Sequence, residues 1–349
     1  MKAAIFDRFH TPLEIREVAD PACPPDGAVV RVEACGVCRS DWHAWRGADP
    51  DVQAPHVPGH EFAGVVEAVG AEVRHLRPGD RVTAPFIIAC GRCPDCTDGD
   101  PTICAGQEEL GFVLQGCFAE FVAVPRADFN LVALPEALGF TAAAGMGCRV
   151  TTAFRALVDR ARLRPGEWLA VHGCGGVGLS AIAIARALDA RVLAVDVNPQ
   201  ALELARTLGA AETLDARPPA DVGEAVRELT GGGAHVSIDA LGITATFRNS
   251  LFGLRPLGRH VQIGMPLEEH AEPPVPLLQL VYGRQIALMG TRGMAAARFP
   301  ALFELIADGR LDPGRLVTRT IPLSQAGAAL AQMDGYSGSG VTVIDRFEA

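Results

Sequence analysis

A short apolar run, Trp168-Leu-Ala-Val-His172, leads directly into Gly173-Cys-Gly175-Gly176-Val177-Gly178. A helical stretch from Leu179 to Leu188 follows, and a second strand-like run, Arg191-Val-Leu-Ala-Val-Asp196, ends in an acid eighteen residues after Gly178. A lone G-x-G-x-x-G is a weak signal. Between a strand and a helix, with an acid closing the next strand, it becomes a dinucleotide-binding hypothesis. Gly173 permits the tight turn, Gly175 lets the backbone approach a pyrophosphate, and Gly178 lets helix and strand pack closely. The loop, with Gly176 and Val177, leads into the helix, whose N-terminal free N–H groups and dipole favour an anion such as the pyrophosphate. Asp196 is placed to accept from a ribose 2′-hydroxyl and to repel a 2′-phosphate. Val197-Asn-Pro-Gln-Ala201 supplies no cation to neutralise such a phosphate, so NAD is expected over NADP. A glycine-rich packing turn, with Asp196 as a plain strand-end residue, is the competing reading.

Further units follow: a helix from Pro199 to about Leu208, a strand around Val236-Ser-Ile-Asp239, and a strand His260-Val-Gln-Ile263 ending in Gly264. Strand and helix alternate, which argues for a parallel sheet with helices on both faces over residues 150–287. Residues 1–149 read differently. Ala28-Val-Val-Arg-Val-Glu-Ala-Cys35 has strand composition and is expected to end at Gly36, and Phe62–Val69, Arg81–Ala84 and Ala119–Val124 read as further strands. After about residue 288, Phe299–Ala307 looks helical and Val341–Ile344 looks like a last strand, so 288–349 is assigned back to the first, β-rich domain.

Cys90, Cys93, Cys96 and Cys104 are four of the ten cysteines, spaced C-x2-C-x2-C-x7-C on a loop broken by Gly91, Pro94, Gly99 and Pro101. Four thiolates that converge describe a closed, structural zinc site in a lobe of about residues 88–106. A disulfide cluster is the alternative, and the usual iron–sulfur spacings differ from this one. A closed site does no chemistry, so the reacting centre lies elsewhere. Cys38, His60 and Cys148 are the ligand types of an open catalytic zinc. Spacing alone does not single them out, since Cys148 reads equally well as a buried thiol. Cys23, Cys35, Cys117 and Cys174 read as small core residues.

The 349 residues carry a net charge of −10, which argues against nucleic acid or an anionic membrane as partner. No run of about 18 consecutive apolar residues occurs, so no membrane span is expected. The start, Met1-Lys-Ala-Ala-Ile-Phe-Asp7, does not read as a secretory signal. Ten cysteines in that context point to a reducing compartment, the cytoplasm, and to metal binding.

Gly36-Val-Cys38-Arg39-Ser40-Asp41, Gly59-His60-Glu61, the Cys90–Cys104 cluster, Gly147-Cys148-Arg-Val-Thr-Thr152 and Gly173–Gly178 fall in the order seen in zinc-dependent medium-chain alcohol dehydrogenases. The resemblance covers essentially the whole chain. It implies a GroES-like catalytic domain with an inserted Rossmann domain, two zinc ions per subunit and NAD, with the catalytic zinc in a cleft between the domains. Carried over motif by motif, Cys38, His60 and Cys148 hold the catalytic zinc and Asp41 orients His60. Glu61 is the nearby carboxylate that approaches the metal during ligand exchange. Ser40 and His43 form a proton relay through the nicotinamide ribose. Arg39 pairs with the cofactor pyrophosphate, Thr152 and Val177 pack the nicotinamide ring, and Ile263 and Gly264 complete the cofactor-binding set.

The reaction implied is hydride transfer between an alcohol and NAD, giving an aldehyde or ketone. A polyol, amino-alcohol or thiol-adduct dehydrogenase of the same family is a second reading. A non-catalytic NAD- and zinc-binding protein is a third. Cys148 stands where the sorbitol-type polyol enzymes have glutamate, and Gly340-Val341 stands where some relatives carry an arginine for cofactor phosphate. Trp42, Trp45 and Phe86 are candidates for the pocket wall. By family analogy the assembly is a homotetramer.

Overall fold

The computed structural model describes residues 1–219, 221–335 and 340–347. The chain folds into two compact units: Met1–Thr151 with Gly293–Ala307 and Asp312–Ala349, and Thr152–Arg292 with Asp308–Leu311.

The first unit is built on a seven-stranded, mainly antiparallel sheet. Ala28–Val37 lies at its centre, between Phe62–Val69 on one side and Val341–Arg346 on the other. The burial of Ala28–Val37 explains its composition: only Arg31 is exposed, and the strand reads as a nearly continuous apolar run. The expected stop at Gly36 does not occur. Gly36 pairs with Val343 and donates its N–H to Glu61 O at 2.9 Å, so the strand carries on to Val37 and delivers Cys38 at its end. The core below the sheet holds Phe6, Phe62, Phe118, Ile88 and Leu110, all essentially without solvent contact. Burying a side chain of this size contributes about 1.5–3 kcal/mol.

Helix Arg39–Arg46 starts at Cys38, and Asp41 sits in its first turn, where a carboxylate complements the helix dipole. Asp41 Oδ2 accepts the Cys38 N–H at 2.8 Å, satisfying an otherwise orphaned backbone donor. The helix stops at Gly47, whose φ of +78° suits a residue without a Cβ.

The second unit is the doubly wound sheet expected for a Rossmann domain. Six parallel strands run in the order Glu212–Asp215, Arg191–Asp196, Trp168–His172, Ala234–Asp239, Leu254–Gln262 and Ala287–Gly290. Every residue of Trp168–His172 is buried, as a central parallel strand covered on both faces requires. Helices Gly176–Ala187, Pro199–Leu208, Val222–Leu229 and Thr244–Phe252 connect the strands. Asn198 caps Pro199–Leu208 by accepting from Gln200 N, and Asp221 caps Val222–Leu229 by accepting from Glu224 N. Among the described residues no helix is long and apolar enough to cross a membrane.

Cys35, Cys117 and Cys174 are core residues as expected, whereas Cys23 is only half-buried. Its thiol lies 3.7 Å from the carbonyls of Pro24 and Gly27, in a loop outside the strands.

Candidate active site

Three segments of the first unit bring the candidate ligands together. Cys38 comes from the end of the central strand, His60 from the turn before Phe62–Val69, and Cys148 from helix Phe140–Phe154. The turn at His60 is braced from outside. Gly116 N, Phe118 N and Cys117 N donate to the carbonyls of Val57, Pro58 and Gly59 at 2.7, 2.9 and 3.0 Å. Gly59 has φ +104°, and a Cβ there would run into Phe118. Helix Phe140–Phe154 is interrupted at Gly147, immediately before Cys148, by φ 12° and ψ −129°.

One ligand atom from each of Cys38, His60, Glu61 and Cys148 lies within 4.8 Å of the others. His60 is buried, and its Nδ1 is 2.7 Å from Asp41 Oδ1. Its Nε2 is also buried and has no hydrogen-bond partner. A buried imidazole nitrogen without a partner is costly unless something binds it. With Nδ1 committed to the carboxylate, Nε2 is the nitrogen left to give up its proton and offer a lone pair to a metal. Two thiol sulfurs, this nitrogen and an adjacent carboxylate suit zinc. Burial alone would push the His60 imidazole down, but Asp41 and Cys38 outweigh it and hold the ring well above its ordinary value. The hydrogen bond from Cys148, its largest influence, holds Cys38 well below the usual thiol range, and Cys148 is raised in turn. Burial pushes the Glu61 carboxyl up to about 7, with the Arg149 guanidinium beside it working in the opposite direction.

The second donor set is Cys90, Cys93, Cys96 and Cys104, whose sulfurs also lie within 4.8 Å of one another. The Sγ–Sγ separations are 3.5 Å for Cys93–Cys96, 3.6 Å for Cys93–Cys104 and 3.9 Å for Cys90–Cys96. The edge of a zinc–thiolate tetrahedron with bonds of ~2.3 Å is about 3.8 Å, so the set fits that ion without rearrangement. Backbone N–H groups of Arg92 and Cys93 lower the Cys90 thiol to about 6, while burial raises Cys96 to about 12.

In the second unit the glycine loop has the shape its sequence requires. Gly173 has φ +93°, Gly175 is the N-cap of helix Gly176–Ala187, and a Cβ on Gly178 would collide with the Gly173 carbonyl. Val177, in the first turn, is half-buried. Asp196 closes its strand with Oδ2 accepting from Cys174 N at 2.6 Å and Oδ1 from Asn198 N at 2.8 Å. This holds the carboxylate next to the loop. Ile263 lies just past the strand rather than in it, and its N–H and that of Gly264 both donate to Asp239 O, at 3.1 and 2.8 Å. Thr152 is buried in helix Phe140–Phe154.

Helix Arg39–Arg46 carries Ser40 and His43, both half-buried and three residues apart, hence on adjoining positions of one helix face. Burial, then Arg39, lowers the His43 imidazole below its ordinary value. Arg39 Nη1 donates to Met333 O, and its guanidinium stacks 4.2 Å over Trp42. The three pocket-wall candidates part company. Trp45 is buried core that donates to Thr11 O at 2.6 Å. Trp42 is held by Asp334 at 2.8 Å. Phe86 is buried with its ring 5.8 Å from the His60 ring, edge-on, and Phe112 is 5.1 Å away from the same ring.

A model of the alcohol dehydrogenase GroES-like domain matches residues 24–136, and one of the zinc-binding dehydrogenase domain matches residues 176–308. An alcohol dehydrogenase of Geobacillus stearothermophilus is 37% identical over 297 residues, covering 84% of this chain and 86% of that protein. The chain belongs to the zinc-dependent medium-chain alcohol dehydrogenase family. Solved members of the family share its fold throughout. Alcohol dehydrogenase TADH from Thermus sp. ATN1 matches with a TM-score of 0.91 and 34% identity, over 99% of this chain and all of that one. An NAD-dependent alcohol dehydrogenase matches at 0.89 with 30% identity, over 99% of this chain and all of that one. As a medium-chain alcohol dehydrogenase the chain is an oxidoreductase of alcohols that employs zinc and a nicotinamide dinucleotide.

One residue of the site has no role in the sequence motifs. Arg149, directly after Cys148, pairs its guanidinium with Glu61 inside the protein. The only signal in the sequence was an arginine directly after Cys148.

Proposed function

We propose that the chain oxidises a small alcohol to an aldehyde or ketone with NAD as hydride acceptor, at a zinc held by Cys38, His60 and Cys148. The observation that carries this is the partnerless buried Nε2 of His60, aimed among two ligand thiols while Asp41 fixes the opposite nitrogen. Zinc there would act as a Lewis acid toward the alcohol oxygen and favour its deprotonation.

The chain's own groups supply the rest. Asp41 fixes the tautomer and direction of His60 and, through the Cys38 N–H, the position of the first ligand. Ser40, two residues past Cys38, accepts the proton leaving the alcohol and passes its own toward His43. His43 suits the end of such a relay, because an imidazole held below its ordinary value is neutral at pH 7 and free to accept. The glycine loop and the N-terminus of helix Gly176–Ala187 take the pyrophosphate. Asp196 accepts from the adenosine ribose, which favours NAD over NADP. A reducing compartment such as the cytoplasm suits a chain whose cysteines are used for metal binding. A homotetramer is the assembly expected from the family.

The test is NADH formation across a panel of primary and secondary alcohols, repeated with NADP and with Ser40→Ala. The reading expects turnover, a higher kcat/KM with NAD, and a loss of about 10²–10⁴-fold in Ser40→Ala. A preference for NADP would overturn the role given to Asp196. Near wild-type turnover in Ser40→Ala from about pH 6 to 10 would remove the relay.

A further inference from the structure

The three ligands come from separate segments, and something must hold those segments in register. Asp41 ties the first two, accepting from Cys38 N at 2.8 Å, Gly59 N at 3.1 Å and His60 Nδ1 at 2.7 Å. Arg149 reaches all three. It follows Cys148 in the chain, its Nη1 donates at 3.0 Å to the carbonyl of Val37, the residue before Cys38, and its Nη2 pairs with Oε2 of Glu61, the residue after His60. The loop closes through the other oxygen of the same carboxylate: Glu61 Oε1 accepts the N–H of Cys148 at 2.8 Å and of Arg149 at 3.3 Å.

Arg149 is 5% exposed and Glu61 1%. Charges this deep persist only when paired and hydrogen-bonded. Two glycines leave the room they need. A Cβ on Gly36 would fall inside contact distance of both Glu61 Oε2 and Arg149 Nη2, and one on Gly147 would strike the Glu61 side chain. The break in helix Phe140–Phe154 at Gly147 comes at the point where the next two N–H groups meet Glu61.

We propose that Arg149 is a positioning residue for the metal centre: with Glu61 it locks the Cys38, His60 and Cys148 segments together and so sets how long zinc is retained. The proposal rests on the reading of those three residues as the zinc site. An arginine is needed because its planar fork serves two acceptors at once, whereas lysine presents a single point charge.

The experiment follows zinc release from the purified, zinc-loaded protein to the chromogenic chelator 4-(2-pyridylazo)resorcinol, together with total zinc per chain. Wild type should hold two zinc ions that leave in two phases, one of them missing in Cys38→Ser. Arg149→Met should accelerate that phase alone, by about 10–100-fold, as loss of a residue supporting a metal ligand typically does. Arg149→Lys should accelerate the same phase by less, and it carries the test if Arg149→Met does not fold. Adding Glu61→Gln to Arg149→Met should change the rate little further, because partners in one network are not additive. If the Cys38-dependent phase is unchanged in both Arg149 variants, or both phases accelerate together, the proposal is wrong. Wild type with no zinc that depends on Cys38 would instead overturn the site itself, and the inference with it.

Discussion

Asp41 Oδ1 and His60 Nδ1 are 2.7 Å apart in a setting where neither side chain touches solvent. The same carboxylate accepts the backbone N–H that opens helix Arg39–Arg46, so one side chain begins the helix and aims the imidazole. Asp41→Asn keeps the shape but loses the charge and faces donors with an amide that also donates. The expected result is a loss of about 10–100-fold in kcat/KM, with the lobe zinc retained. Steady-state kinetics and metal analysis on the same preparation check it.

Cys93 belongs to the four-cysteine set read as a closed zinc site, where zinc would contribute folding free energy directly. Cys93→Ser is therefore expected to lower the yield and the Tm and to remove one zinc, while the Cys38–His60–Cys148 zinc stays. Calorimetry with metal analysis measures both. A variant with unchanged Tm and unchanged zinc would contradict the structural role.

Burial holds two histidines of the second unit neutral: His172 is lowered to about 3, with His260 contributing, and His260 to about 4. Unfolded, each titrates near 6.5. The unfolded chain thus binds more protons below that value, and the stability present above pH 6.5 is lost as the pH falls. The slope is up to about 1.4 kcal/mol per pH unit for each residue. His260 also accepts or donates at Ser250 Oγ, 2.8 Å away, so His260→Gln should be less stable than wild type at pH 7.5. That gap should narrow at pH 5.5 by about 1.4 kcal/mol. Urea denaturation at the two pH values provides the comparison, and a constant gap would be the contrary result.

Much of this was legible in the sequence. Trp168–Gly178 and Arg191–Asp196 could be read because parallel strands buried on both faces must be apolar and the turn between strand and helix must be glycine. The two groups of metal-ligand-type side chains, Cys38–His60–Cys148 and Cys90–Cys104, could be picked out from their motifs, and the fold brings each group together. What escaped depends on distant partners. Nothing local marks Gly36 as a strand residue, since it is kept in the sheet by Val343 and by the carbonyl of Glu61. Arg149 meets Glu61, 88 positions away, only after folding, and Arg39 meets Met333 in the same way. The fates of Trp42 and Trp45, three residues apart on one helix, were set by Asp334 and Thr11.

The central claim is that the Cys38–His60–Cys148 centre performs alcohol oxidation, while the Cys90–Cys104 lobe only stabilises the fold. The direct measurement is NADH formation by wild type and Cys38→Ser, made beside zinc content and NAD binding by nucleotide fluorescence. The account predicts two zinc ions and turnover for wild type, and for Cys38→Ser one zinc, intact NAD binding and no detectable turnover. Wild-type turnover in a Cys38→Ser protein would contradict it.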